Sequence, residues 1–213
     1  MLRSLVGSEM CIRDRYKFQS MAKLHYFYST MNAGKSTSLL QSNHNYKENN
    51  LKTLLFIPKE DEDFNNGKIV SRIGLEAQAI IVNHEYDFFS EIKKLASSTI
   101  HCILIDEAQF LKAKQIKQLS RVADSLNIPV MCYGIRTDFR GELFEGSASL
   151  LALADNLIEL KTVCSECPRK ATMVVRLNED GKVVTEGSQV QLGGNDVYKV
   201  VCRKHFRELT NLI

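Results

Sequence analysis

The chain has 213 residues and a formal net charge of +3, and 44% of its residues are hydrophobic and 25% charged. These values are ordinary for a globular protein with one main core and room for a small appendage. The charge is too small to indicate a nucleic-acid or membrane surface. No apolar run approaches the roughly 18–20 residues that a transmembrane helix requires. We therefore expect neither nucleic acid nor a membrane as a partner.

Residues 1–20 are set apart from the rest of the chain. They lack the long apolar stretch and the small-residue cleavage site of a secretory signal. Residues 10–15 read like a translated sequencing-library adapter. We therefore expect this leader to be an artefact and Met21 to be the natural start, with a genuine but disordered leader as the alternative.

From Leu24 onward, short apolar runs alternate with segments of helical periodicity. The predicted strands are residues 24–28, 53–57, 79–82, 102–105, 130–133 and 156–160. The predicted helices are residues 35–47, 86–96, 111–126 and 147–154. Strands that alternate with helices predict an α/β fold with right-handed crossovers, a mainly parallel sheet and ligands at the strand ends.

A phosphate-binding loop is predicted between the first strand and the first helix. Residues 29–37 read STMNAGKST and fit the pattern G-x-x-x-x-G-K-[ST], except that Ser29 stands at the first glycine. Lys35 would reach the β- and γ-phosphates of a nucleotide, and the hydroxyl of Ser36 would bind Mg²⁺. Glycine would be the less costly residue at position 29 if that position required a positive φ. The loop narrows the fold class to a phosphate-loop (RecA-like) sheet flanked by helices.

Two acidic residues follow the apolar strand Cys102–Ile105. In phosphate-loop enzymes an acid at such a strand end holds the Mg²⁺ shell, and we assign this role to Asp106. Glu107 is then free to act as the general base. The pair does not separate a kinase from an ATPase, because a glutamate in this place can polarise water as well as a substrate hydroxyl.

The C-terminal part contains a C-x-x-C pair, Cys164 and Cys167, and a C-x-x-H pair, Cys202 and His205. Four ligands of these types suit tetrahedral Zn²⁺, and a site with no open position indicates a structural zinc. Cysteines used in this way favour a reducing cytosol over a secreted disulfide framework, so we expect a cytoplasmic protein.

The sequence pattern changes near Val163, where short alternating runs and glycines replace long helices. We predict a domain boundary there. Residues 21–162 would form the phosphate-loop domain, and residues 163–213 would form a zinc-binding lobe.

Taken together, these motifs resemble the zinc-containing thymidine kinase family. The resemblance rests on five segments: residues 31–37 (MNAGKST), 106–110 (DEAQF) and 133–141 (YGIRTDFRG), Gly193-Gly194 followed by Tyr198, and the knuckle at 202–205. It extends in the expected order from residue 21 to about 209. It implies transfer of the γ-phosphate of ATP, with Mg²⁺, to the 5′-hydroxyl of thymidine. It also implies a homotetramer that is inhibited by thymidine triphosphate.

The resemblance also assigns roles to residues. Glu107 would accept the proton of the substrate hydroxyl. The expected ATP contacts are Ser29, Thr30, Met31, Asn32, Ala33, Gly34, Lys35, Ser36, Thr37, Asp106 and Gln109. The expected nucleoside contacts are Met31, Phe110, Phe139, Phe144, Gly193, Gly194 and Tyr198. The last three would belong to a zinc-anchored loop that folds over the base.

One departure from the family pattern lies after the second strand. Asp61 matches an acidic residue of the family, but Asp63 stands where the family has an arginine. Arg72 is a candidate substitute. A raised KM for ATP is the consequence we expect if nothing replaces the arginine.

Two other functions remain open on the residues alone. A nucleic-acid-binding ATPase could use a basic C-terminal lobe, to whose charge the following residues contribute: Lys161, Arg169, Lys170, Arg203, Lys204 and Arg207. Against it, the lobe also carries several acids and no basic patch interleaved with aromatic residues. A nucleotide sensor without catalysis would leave Glu107 idle.

Overall fold

A computed structural model of the chain describes residues 21–59, 66–95, 99–191 and 197–212. The predicted leader, Asp61, Asp63, Gly193 and Gly194 lie outside the described residues. The remaining predicted site residues all lie within them.

The centre of the molecule is a six-stranded sheet in which every pair of neighbouring strands is parallel. Its strands are β1 (Leu24–Ser29), β2 (Thr53–Pro58), β5 (Ile80–Val82), β6 (Cys102–Ile105), β7 (Val130–Ile135) and β8 (Asn156–Glu159). Their order across the sheet is β5-β2-β6-β7-β1-β8. The sequence-based prediction of a parallel α/β fold is therefore confirmed.

Helices cover both faces of this sheet. They are α1 (Lys35–Glu48), α2 (Phe88–Leu95), α3 (Ala113–Leu126) and α4 (Glu145–Leu153). Apolar residues of α1 pack in one core cluster, and those of α2, α3 and α4 pack in another. Because all six strands are parallel, their carboxyl ends meet at one edge of the sheet, where ligands bind in folds of this type.

The chain after β8 forms smaller, antiparallel structure. Strand β9 (Thr162–Val163) pairs with β10 (Lys170–Ala171), and β11 (Met173–Leu177) lies between β12 (Val183–Val184) and β13 (Tyr198–Val201). The last helix is α5 (Arg203–Thr210). These elements share a third core cluster that includes Phe206 and the cysteines of the predicted metal site.

The structure differs from the sequence-based prediction at a few elements. A hairpin of β3 (Lys68–Val70) and β4 (Glu76–Gln78) was not predicted, because its alternation is too short to stand out. Helix α4 begins two residues earlier than predicted. No helix among the described residues is long and apolar enough to cross a membrane.

Candidate active site

The phosphate loop joins β1 to α1 at the carboxyl edge of the sheet. Within it, Asn32 (φ 61°) and Gly34 (φ 73°) adopt left-handed backbone conformations. Ser29 is the last residue of β1 and is not left-handed, and its hydroxyl donates to the carbonyl of Thr30 at 2.6 Å. The backbone at position 29 therefore does not require glycine, and the loop tolerates serine there.

Lys35 is buried at the start of α1. Its Nζ donates to the carbonyl of Thr30 at 3.0 Å and to the hydroxyl of Ser29 at 3.3 Å, so the ammonium group lies along the loop. Burial lowers the pKa of Lys35, and the charges of Glu107 and Asp106 oppose this shift. The lysine and both predicted acids therefore share one electrostatic site.

Asp106 follows β6 and is only 3% exposed. Burial and the neighbouring Glu107 raise the pKa of its carboxyl to about 7, although a hydrogen bond from the Ser36 side chain lowers this pKa. Its Oδ1 has no hydrogen-bond partner among the described residues. A buried carboxylate oxygen without a partner, beside a serine hydroxyl, fits the oxygen ligands that Mg²⁺ prefers.

Glu107 has a left-handed backbone conformation, with φ 46° and ψ 39°. Such conformations are costly for residues other than glycine and cluster at functional sites. Its Oε2 accepts a hydrogen bond from Nε2 of Gln109 at 2.5 Å, and Oε1 of Gln109 accepts one from the backbone of Ile135 at 3.1 Å. Gln109 thus ties the carboxylate of Glu107 to the end of β7.

Two glycines let neighbouring elements approach the segment that carries these acids. A Cβ atom at Gly134 would lie 2.7 Å from Oε1 of Gln109. A Cβ atom at Gly146 would lie 2.5 Å from the carbonyl oxygen of Ala108 and 2.7 Å from that of Leu111. Strand β7 and helix α4 therefore fix the position of the segment after Glu107. Neither contact could be predicted from the sequence.

A cleft of about 660 Å³ opens beside the phosphate loop. The described nucleoside-pocket residues that line it are Met31, Phe110, Phe139, Phe144 and Tyr198. Phe110 and Phe144 meet edge to face with ring centroids 6.0 Å apart. Lys35, Ser36, Glu107 and Gln109 line the same cleft, as does Arg72. The structure therefore brings the predicted phosphate-binding and nucleoside-binding residues together around one space of ligand size.

Arg176 is a residue near this cleft that the sequence-based reasoning missed. It is only 3% exposed, and its guanidinium carbon lies 3.6 Å from the centroid of the Phe139 ring. Its two terminal nitrogens donate to the carbonyls of Glu186 and Ser188, at 2.7 and 2.8 Å. Arg176 thereby holds the segment after β12 against an aromatic wall of the cleft. An arginine within the apolar run of β11 was the signal that could have identified it.

Asp138 also holds this segment, through Gln189. Its buried carboxylate accepts hydrogen bonds from the backbone of Arg140 and Glu142, each at 2.9 Å, and from Nε2 of Gln189 at 3.1 Å. Further along, the hydroxyl of Tyr198 donates to the carbonyl of Gln191 at 3.0 Å. The segment leading to residue 191 is therefore attached to the cleft at several points.

The four predicted metal ligands form one cluster, with all ligand atoms within 4.8 Å of one another. Nδ1 of His205 lies 3.4 Å from the sulfurs of both Cys164 and Cys202, and the sulfurs of Cys167 and Cys202 are 3.9 Å apart. Tetrahedral zinc with Zn–S bonds of about 2.3 Å would separate its sulfur ligands by about 3.8 Å. The cluster therefore fits Zn²⁺.

The surroundings of the cluster favour ionisation of Cys164. Burial opposes ionisation of Cys164, but hydrogen bonds from the backbone of Glu166 and Cys202 and from neighbouring side chains lower its pKa to about 6. Nε2 of His205 lies 3.8 Å from a carboxylate oxygen of Glu208. An acid on that nitrogen orients the ring so that Nδ1 faces the sulfurs.

The cluster also touches the phosphate loop. Met31 packs against its hydrophobic surroundings, and the hydroxyl of Thr30 donates to the carbonyl of Met173 at 3.2 Å. A structural change in the metal-binding region would therefore displace residues of the phosphate loop.

Comparison with known proteins gives a consistent family. The thymidine kinase family model matches residues 22–206. A thymidine kinase of Mannheimia succiniciproducens is 59% identical over 191 residues, which cover 89% of this chain and 97% of the relative. Thymidine kinases of Pasteurella multocida and Haemophilus influenzae are 56% and 55% identical over 189 residues, with 88% of this chain covered and 98% and 97% of the relatives. The chain therefore belongs to the thymidine kinase family and is a kinase.

Proposed function

We propose that this protein transfers the γ-phosphate of ATP to the 5′-hydroxyl of thymidine, giving thymidine monophosphate and ADP. The observation that supports it most strongly is the single cleft lined by Lys35, Glu107 and the aromatic pair Phe110 and Phe144. Phosphate-binding and base-binding groups that line one cleft suit a direct transfer from a bound nucleotide to a bound nucleoside. The family relationship supports the same substrate.

The chain's own residues account for most of the transfer. The backbone of the loop and the ammonium group of Lys35 would bind the β- and γ-phosphates of ATP. Glu107 would accept the proton of the 5′-hydroxyl while the 5′-oxygen of the nucleoside forms a bond to the γ-phosphorus. The bond between the γ-phosphorus and the bridging β–γ oxygen would break in the same step, and ADP would leave. Gln109 would keep the carboxylate in place, since it already binds Oε2 of Glu107.

Two metal ions would accompany the reaction. Ser36 and Asp106 would hold Mg²⁺, which neutralises charge on the phosphates when it is bound. Cys164, Cys167, Cys202 and His205 would hold a structural Zn²⁺. This zinc would anchor the loop that includes Gly193 and Gly194 over the base. Intact thiolates favour a reducing compartment, so we place the protein in the cytoplasm.

The role of Glu107 can be tested by substitution. Glu107→Gln removes the base without changing size, so kcat should fall by roughly 10²–10⁴-fold while ATP binding is retained. The exposed Glu85→Gln is the matched control and should leave kcat unchanged. Turnover of Glu107→Gln within a few-fold of the parent would rule out the assignment.

Arg72 is our candidate for the phosphate contact that Asp63 does not supply. It lines the same cleft as the loop, and its charge contributes to the lowered pKa of Lys35. Arg72→Gln should raise the KM for ATP by about 10- to 150-fold and leave the KM for thymidine unchanged, because one charge-assisted hydrogen bond contributes about 1.5–3 kcal/mol. Equal effects on both KM values would exclude this role.

The larger organisation is also a proposal. We infer a phosphate-loop domain at residues 21–162, a zinc-binding lobe at 163–213 and a homotetramer that thymidine triphosphate inhibits. Sedimentation equilibrium of the zinc-loaded protein tests the assembly, and a monomer at micromolar concentration would contradict it.

A further inference from the structure

A second cavity, of about 670 Å³, lies beside the metal cluster and shares no lining residue with the cleft. Six of its nine lining residues are basic, and they come from separate parts of the chain. The six are Arg136, Arg169, Lys170, Arg203, Lys204 and Arg207. We call this space the basic cavity.

Most of this positive charge is not neutralised within the protein. Lys170 pairs with Glu159, and Nζ of Lys204 lies 3.6 Å from Glu208. The four arginines of the basic cavity form no ion pair with any residue that the structure describes. Four guanidinium groups without an ion pair in the described part of the chain repel each other around one space, although Arg136 also lies 3.5 Å from the carbonyl of Thr172. An anion bound among them would relieve that repulsion.

Compensation of the metal site does not account for this charge. Three thiolates and a neutral imidazole around Zn²⁺ leave about one net negative charge. One nearby cation would balance it, whereas the basic cavity holds four arginines without an ion pair among the described residues. The excess of arginines therefore points to a ligand from outside.

The lining indicates what kind of anion would bind. Guanidinium groups match phosphate oxygens with two parallel hydrogen bonds. The volume lies within the usual range for small-ligand sites. None of the described residues that line the cavity is aromatic, so it offers no platform on which the bases of a nucleic-acid strand would stack. We propose that the basic cavity binds a small anion that carries two or three linked phosphoryl groups.

The wall of the basic cavity is also attached to the phosphate loop. The backbone N–H of Arg136 donates to the carbonyl of Ser29 at 3.2 Å, and the carbonyl of Met173 accepts the hydroxyl of Thr30 at 3.2 Å. An anion bound by Arg136 would therefore affect the positions of Ser29 and Thr30, the first two residues of the loop. The basic cavity is argued from its own residues, and only the use of thymidine and an ATP analogue to fill the cleft in its test rests on the proposed function.

Inorganic tripolyphosphate is the probe that tests the site. Calorimetric titration of the zinc-loaded full chain would be done with thymidine and a non-hydrolysable ATP analogue present in saturating amounts with Mg²⁺, which fill the cleft. We expect one tripolyphosphate per chain under these conditions. Absence of binding once the cleft is filled would overturn the proposal.

Variants identify where the probe binds. Arg203 and Arg207 are exposed and lie one turn apart on α5, so Arg203→Gln/Arg207→Gln should fold and should weaken tripolyphosphate binding at least tenfold. The double variant Lys117→Gln/Lys182→Gln removes the same charge from exposed positions outside the cavity and should bind normally. Zinc content and circular dichroism would confirm that both variants fold.

Two outcomes would overturn the assignment. Equal weakening in both double variants would mean that binding reflects net charge and not a site. A single-stranded oligonucleotide that binds more tightly than tripolyphosphate, and loses binding in Arg203→Gln/Arg207→Gln, would identify the ligand as nucleic acid instead.

Discussion

The substitution Gly146→Ala should change the stability of the protein through two physical effects of opposite sign. Gly146 lies in the first turn of α4, where helix propensity alone predicts that alanine would stabilise the protein by up to about 1 kcal/mol. The added Cβ, however, would lie 2.5–2.9 Å from the carbonyl oxygens of Ala108, Gln109 and Leu111, where Cβ contacts under 3.0 Å essentially never occur. These are backbone atoms, so residues 108–111 must shift by roughly half an ångström, and such overpacking costs about 1–3 kcal/mol.

The functional consequence follows from what that segment carries. Glu107 precedes it, and Gln109 holds the carboxylate of Glu107 at 2.5 Å. Because a misplacement of about 1 Å can lower a rate about 10²-fold, we expect Gly146→Ala to lower kcat roughly 10- to 100-fold. We expect a smaller free energy of unfolding as well.

Urea unfolding and steady-state kinetics measure both effects. Ala148→Gly, at an exposed position of the same helix, is the control for helix propensity. It should lower the free energy of unfolding by about 1 kcal/mol without changing kcat. If Gly146→Ala were more stable than the parent and had normal kcat, the close contact would not constrain the active site and the reasoning would be refuted.

Two further predictions concern the cleft and the metal cluster. Arg176→Lys keeps the charge but loses the planar group that stacks on Phe139 and binds two carbonyls. The KM for thymidine should therefore rise about tenfold or more, while the KM for ATP stays constant. Lys182→Met is the control, and parallel changes in both KM values would contradict a role of Arg176 in holding the loop. Cys167→Ser should lower the zinc content and the thermal midpoint, because metal binding and folding are coupled; atomic absorption and calorimetry check this, and full stability without zinc would show that the metal is not structural.

The local part of this architecture could be predicted from the sequence. Each strand of the parallel sheet is a compact apolar run, and the loop sequence lies between a strand and a helix, so periodicity and one motif were enough. The two cysteine and histidine pairs were similarly visible, since each pair is close in sequence. Features of this kind depend on residues that are close in sequence, so they can be predicted without knowledge of the tertiary structure.

The contacts that were missed all join distant segments. Gly146 touches the residues after Glu107 from another helix, and Arg176 reaches Phe139 from a different strand. Neither contact leaves a trace in local periodicity. The basic residues of the C-terminal lobe were noted in the sequence, but only the fold groups them with Arg136, which follows β7, and leaves Lys161 outside the lining of the basic cavity.

ATP-dependent phosphorylation of a panel of deoxynucleosides, with zinc-loaded protein that starts at Met21, tests the central claim most directly. The loop, Glu107 and the aromatic cleft predict rapid formation of thymidine monophosphate with one ADP per product, and little product from purine nucleosides. Hydrolysis of ATP without any phosphorylated nucleoside would contradict the proposed reaction.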